Sequence, residues 1–185
     1  MTRKKEIDRD AILDAAEAVV VELGAHRLTL DLVAARTGIS KGGLAYNFKT
    51  KDDLVTAIVN REIGRFRAEM ERRKPEFADH PHPDLLARIA VTRGENEMMI
   101  SKAASALVAF LLSEKQRKPM QAGYRGEMSA FDISTAQGKR ALVAFLALEG
   151  IFLLRGLQFI ELTEADWQNY LDIIRDAYLA CHDVE

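Results

Sequence analysis

Apolar positions recur along this chain at the three-to-four-residue spacing of helices, and nowhere alternate as a strand requires. Ile12, Ala15, Ala16, Val19, Val20 and Leu23 form one stripe over residues 7–23, with Arg9, Asp14 and Glu17 largely off it. Gly24 follows, where a left-handed residue closes a helix. Leu30, Val33 and Ala34 predict a second helix over 30–36, and Leu44 with Phe48 a third over 41–47. A longer helix from Lys51 to about Lys74 carries Leu54, Val55, Ile58, Ile63 and Phe66, and ends in Arg72, Arg73 and Lys74, cations that suit a helix C-terminus. Residues 75–84, PEFADHPHPD, hold three of the four prolines and predict a linker loop. Leu85, Leu86, Ile89 and Ala90 then mark a helix, and residues 95–113 one that is apolar on most of its surface. EKQRK at 114–118 and Pro119 predict a break, followed by a short helix with Tyr124, Met128 and Phe131. Asp132 and Ser134 are candidate caps for a helix over 135–160 that is apolar nearly all round, hence central or packed on two sides. A last helix starts at Thr163 and carries Trp167, Tyr170, Leu171, Ile174, Ala177, Tyr178 and Cys181. The expected fold class is all-α.

Composition narrows the class. At 185 residues and 48% hydrophobic content the chain has ample material for a core, and the content argues against disorder. A lone cysteine, Cys181, leaves no internal disulfide framework; it reads as an ordinary residue near a helix end and suits a reducing, cytoplasmic setting. The start, MTRKKEIDRD, has no apolar stretch of the kind a signal peptide needs. The longest apolar run, Ala141 to Leu154, contains Glu149 and is too short to span a bilayer. His80 and His82 between Asp79 and Asp84 suggest a metal, but proline on both sides of His82 works against a compact ligand set, and a surface loop is the expectation. A Gly-rich phosphate loop, metal-spaced His/Cys and a nucleophile elbow are absent from the sequence, so neither catalysis nor a cofactor is expected. The net charge of −2 carries no global signal for nucleic acid. Its distribution does lean: residues 1–51 hold nine Lys/Arg against seven Asp/Glu. Arg3, Lys4 and Lys5, in a charged tail, could reach a DNA backbone.

The most specific stretch is 29–54, TLDLVAARTGISKGGLAYNFKTKDDL. Thr29 can cap a helix, Gly38 can take the left-handed turn that ends it, Ile39 can plug the corner, and Ser40 can cap the next helix. Ala34 is small where a crossing helix needs close approach. Helix, tight turn, short helix and the start of a further helix at Lys51 form the layout of a helix-turn-helix, which lays its second helix in the DNA major groove. Gly38-Ile39-Ser40, then Leu44-Ala45-Tyr46-Asn47-Phe48, then Lys51-Asp52-Asp53-Leu54 resemble the DNA-binding region of the TetR family of transcriptional regulators. The likeness is specific over about 50 N-terminal residues; beyond them it rests on length and helical layout.

That resemblance implies a helix-turn-helix DNA-binding domain over 1–50, a connecting helix over 51–74, the linker over 75–84 and an effector-binding and dimerisation domain over 85–185. It implies that Lys41 and Gly42 open the recognition helix. Lys41 is then the candidate donor to guanine O6 and N7, while Gly42 and Gly43 let backbone approach the groove. Thr29, Ser40, Tyr46 and Lys51 resemble the family's phosphate-contacting set. Ala45 stands where many members carry Tyr, and Asn47, which the resemblance also places among the DNA contacts, where many carry His or Tyr. One aromatic anchor is therefore lost or shifted to Tyr46.

A single helix-turn-helix offers little contact, and paired recognition helices reach successive major grooves about 34 Å apart. Leu153, Leu157, Trp167, Tyr170, Leu171 and Ile174 exceed what one small layer buries, so the last two helices are the expected homodimer surface, as an isologous four-helix bundle. The resemblance further implies a small-molecule effector, largely apolar, that releases a repressor from a palindromic operator. Met98, Met99, Phe110, Phe131, Phe145 and Phe152 lie in the helices that form the family's pocket. Glu149 is a carboxylate inside an apolar helix; it faces a ligand, pairs with Arg155, or meets a partner subunit. The alternative for the whole chain is a helical protein-interaction module that has lost specific DNA binding.

Overall fold

Side-chain caps mark where most of the helices begin. The computed structural model describes residues 8–24, 27–111 and 114–180, and the side chains there other than 105, 106 and 108–116. Asp8 accepts from the Asp10 N–H and opens α1, Arg9–Leu23. Thr29 Oγ1 accepts from Leu32 N at 3.2 Å at the head of α2, Leu30–Thr37. Ser40 Oγ accepts from Gly43 N at 3.1 Å at the head of α3, Lys41–Asn47. Before α4, Lys51–Arg73, Thr50 Oγ1 accepts from Asp53 N while Asp53 Oδ2 accepts from Thr50 N, a reciprocal box. Then follow α5, Pro83–Gly94; α6, Glu97–Leu111; α7, Glu114–Ser129; α8, Ala136–Gly156, capped by Thr135; and α9, Glu164–Leu179, opened by a Thr163–Asp166 box. Among the described residues there is no strand, and no helix is long and apolar enough to cross a membrane.

The chain divides into two compact units. One comprises residues up to Glu62 together with 105–117; the other comprises 63–104 and 118 onward. The division falls within α4. The proline-rich segment 75–84, expected to separate the domains, lies inside the second unit. It is also less of a loop than expected: Lys74–Phe77 is a 3-10 turn with Phe77 packed on the second core, and Pro83 is the first residue of α5, where its missing N–H costs nothing. Lys74 and Asp84 pair at 2.7 Å across the segment.

The expected break at 114–118 is also corrected. Residues 114–118 are helical, and Pro119 sits inside α7. Its ring nitrogen carries no N–H, so the helix forfeits one backbone bond there.

In the first unit Ile12, Leu13, Ala16 and Val19 of α1 pack on Leu28, Val33, Ala34, Leu44, Phe48, Leu54 and Ile58. Burying Phe48 or Leu44 contributes about 1.5–3 kcal/mol each. Gly38, at φ +69°, makes the left-handed turn between α2 and α3 that any Cβ would strain. In the second unit Leu85, Leu86 and Ile89 of α5, Ile100 of α6, Ala141, Ala144, Phe145 and Leu148 of α8, and Trp167, Leu171 and Tyr178 of α9 form the core. Gly156 permits the close crossing of α8 over α6: a Cβ there would lie 2.5 Å from Ala104 Cβ and 3.0 Å from the Ile100 carbonyl oxygen.

Candidate nucleic-acid interface and half-buried polar cluster

The short helix α3 buries one edge and exposes the other. Leu44 enters the core and Phe48 plugs in just past the C-terminus, while Lys41, Gly42, Ala45 and Tyr46 face solvent, Tyr46 with 88% of its surface free. Behind it, Arg9 of α1 lies over the Phe48 ring, 5.1 Å from its centroid. Arg61 of α4 holds Glu17 and Asp14 of α1, and Arg36 of α2 holds Glu22. These ties set α3 on a braced support, so the exposed edge is presented in a fixed direction.

The hydroxyls of Thr29 and Ser40 each accept a backbone N–H as helix caps. Accepting leaves their own O–H free to donate, so each can cap a helix and bond an anionic oxygen at once. Lys51 stands exposed in the first turn of α4. Lys41 Nζ lies 2.8 Å from Asp31 Oδ1 of α2, and both side chains remain largely exposed. A Cβ at Gly42 would meet nothing within 4 Å, so packing does not require that glycine.

Asn47 departs from expectation: it is half-buried, and its Nδ2 donates to the Gly43 carbonyl at 3.2 Å, back along its own helix. Its amide braces α3 along the helix itself. Thr50, absent from the expected set, caps α4. Its signal was present, since Thr50-Lys51-Asp52-Asp53 has the spacing of a capping box. Asp31 and Arg9 left no such local signal.

In the second unit the candidate ligand residues are partly brought together. Arg88 of α5 donates to Glu149 of α8 at 2.8 Å and to Glu127 of α7 at 2.6 Å. Tyr124 Oη donates to the other Glu149 oxygen at 2.8 Å. The Arg88 guanidinium also lies 5.7 Å from the Phe66 ring centroid and 5.2 Å from that of Phe145. Glu149 therefore does not pair with Arg155. Arg155 is buried against the Trp167 ring, 4.6 Å from its centroid, and bonds Glu164 at 3.1 Å. Burial first, then the Glu149 charge, pushes the Tyr124 hydroxyl well above its ordinary range, so it stays a donor.

The Phe131 and Phe145 rings meet at a tilt of 50° with centroids 5.7 Å apart, and Phe152 packs on the same core. Met98 and Met99 do not join them: Met98 is exposed and Met99 meets the Arg65 guanidinium. The Phe110 side chain, Cys181, and Arg3, Lys4 and Lys5 lie outside the described residues. His82 meets Tyr178 Oη at 3.0 Å and the edges of two rings. Among the described residues no group of three His, Cys, Asp or Glu is placed to hold a metal.

The six residues expected at a dimer surface divide. Trp167 and Leu171 have no exposed surface; they are core of the second unit because they face inward from α9 onto α5 and α8. Ile174 is half-buried against that core and Leu157 is half-buried at the end of α8. Leu153 and Tyr170 are exposed. Exposed apolar residues here include Val143, Leu146, Leu153 and Leu154 on one side of α8, Phe159 and Ile160 after it, and Tyr170, Ile173 and Leu179 on α9.

A capped helix-turn-helix in front of an all-helical unit defines a class of bacterial DNA-binding regulator, and the comparisons agree. Residues 12–58 match the family model of bacterial regulatory proteins of the tetR family, and residues 85–177 match the tetracyclin repressor-like C-terminal domain. The chain belongs to the TetR family of transcriptional regulators. It is 29% identical over 107 residues to the HTH-type transcriptional regulator BetI of Serratia proteamaculans, covering 58% of this chain and 54% of that protein. It is 36% identical over 75 residues to the HTH-type transcriptional repressor BepR of Brucella suis, covering 40% and 35%. The matches thus span about half of the first relative and about a third of the second. The solved structure of SmeT, the repressor of the Stenotrophomonas maltophilia multidrug efflux pump SmeDEF, shares the fold with a TM-score of 0.64 at 24% identity, over 94% of this chain and 91% of that one.

Proposed function

We propose that this regulator is a homodimeric repressor that binds a palindromic operator and is released by a small, largely apolar ligand, without catalysis and without a cofactor. The observation that carries the DNA half is the exposed edge of α3, with Lys41, Gly42 and Tyr46 outward over a core sealed by Leu44 and Phe48. Lys41 reads a base edge, the Gly42 and Gly43 backbone approaches the groove, and Thr29, Ser40, Tyr46 and Lys51 hold phosphates. Asn47 supports α3 from within. The exposed apolar residues of α8 and α9, centred on Leu153 and Tyr170, are the surface for a second copy. Repression is supported by likeness to BepR, a repressor by name. An effector bound near Phe131, Phe145, Phe152 and Glu149 shifts the population toward a spacing of the two recognition helices that no longer fits the half-sites.

Fluorescence anisotropy tests the reading, with labelled DNA from immediately upstream of the gene beside a scrambled duplex across a salt series. A strong preference for the native fragment, weakening linearly in log–log terms with salt, is expected. Lys41→Ala is expected to lower the preference between duplexes, and Lys51→Ala to weaken both alike. Equal effects of the two substitutions on both duplexes would remove Lys41 from base reading. Absence of binding even at low salt would favour the protein-interaction module.

A further inference from the structure

We infer that Asp31 is a specificity-setting residue that acts through Lys41, restraining its ammonium so that it answers to base edges and not to phosphates. The inference rests on α3 being the recognition helix. Asp31 sits in the first turn of α2, two residues past the Thr29 cap, and its Oδ1 lies 2.8 Å from Lys41 Nζ in the first turn of α3. The pair therefore bridges the N-termini of α2 and α3, whose caps, Thr29 and Ser40, are the proposed phosphate contacts. Both side chains are largely exposed, so no burial forces them together and either can be exchanged.

A carboxylate on a DNA-facing surface is unfavourable for binding as such, since it repels every phosphate equally. The position of Asp31 gives it a second effect. An ammonium has three donors. With one held by Asp31, two remain, enough for the O6 and N7 of a guanine. A free Lys41 on its flexible stem would instead settle on whichever phosphate lies nearest, on any sequence. Asp31 competes with that phosphate but not with a guanine edge that Lys41 can reach without leaving it. Non-specific binding is weakened and specific binding is spared, so the ratio between them rises.

The test uses the full-length protein and an operator obtained by selection from a random duplex pool, with a scrambled duplex as control. Asp31→Asn keeps the size and removes the charge. It is expected to tighten binding to the scrambled duplex about two- to fivefold, the scale of an exposed ion pair, and to change operator binding by less than about twofold. The salt slope on scrambled DNA is expected to steepen by about one ion. Asp31→Glu is expected to recover part of the discrimination, and in a Lys41→Ala background Asp31→Asn is expected to leave the ratio between duplexes unchanged. Equal tightening on both duplexes would overturn the inference, leaving Asp31 as one more surface charge. A loss of discrimination that persists without Lys41 would overturn it too. If the wild-type protein enriches no sequence from the pool, the reading of α3 itself fails and the inference falls with it. That outcome is distinct, because it appears before any variant is made.

Discussion

The packed helix pairs of the first unit are mainly neighbours in the chain, with Arg61 reaching back to Glu17 as a long-range tie, whereas the second relies more on partners far apart. In the first, α1 packs on α2 and α2 on α3, and each cap bonds an N–H two or three residues ahead. In the second, α9 packs on α5 and α8, Arg88 reaches Glu149 61 residues away, and His82 reaches Tyr178 96 residues away. Local construction explains why a short motif announces a DNA-reading surface. Long-range construction explains why the cluster of Arg88, Glu149 and Tyr124 had no motif to announce it. The glycines differ in the same way: Gly156 is where another helix must pass, whereas Gly42 has open space around it.

Substitutions can break or sharpen that contrast. The largest effect is expected from Phe48→Ala, which opens a cavity in the first core and costs about 3–5 kcal/mol. Operator binding should be lost. Trp167, the single tryptophan, lies in the other core and should keep the emission of a buried indole in the same variant. A red shift of that emission would mean the two cores do not stand separately.

Next comes Gly156→Ala, whose methyl would meet Ala104 at 2.5 Å. Overpacking of this kind costs about 1–3 kcal/mol, readable as a fall in the denaturation midpoint. Gly42→Ala should act in the opposite direction on stability, raising it by up to about 1 kcal/mol through helix propensity, while weakening operator binding because the methyl intrudes on the groove. A Gly42→Ala protein that is both more stable and fully active would show that the glycine serves neither packing nor DNA.

The smallest effect concerns pH. Burial holds the His82 imidazole below its ordinary value of 6.5. The unfolded chain then takes up a proton at higher pH than the folded one, so stability from this site is complete above about pH 6.5 and is lost as pH falls below it. The Tm should decline between pH 7 and 5.5, and decline less in His82→Gln. Parallel pH profiles for the two proteins would show that His82 titrates alike in both states.

Particular residues show how far the sequence could be read. Thr29, Gly38, Ser40 and the Thr163 cap were legible because a cap is a local bond between a side chain and a backbone group a few residues on. Thr50 was equally legible by its spacing from Asp53. Trp167 and Leu171 were misplaced for a different reason. Helical spacing shows which residues share a face, but not whether that face meets its own chain or another copy. Glu149 was recognised as a carboxylate in apolar surroundings, yet Arg155 was the only nearby cation in sequence; Arg88 and Tyr124 come from other helices.

The sequence by itself determined the all-helical class, the capped helix starts and the helix-turn-helix segment, because periodicity, caps and left-handed turns act over a few residues. Only the tertiary structure decided that Pro119 lies within a helix, that Asp31 holds Lys41, and that Glu149 belongs to Arg88 and not Arg155. Each of those outcomes depends on which surfaces come together, and burial and charge pairing select among arrangements that the local pattern leaves equal.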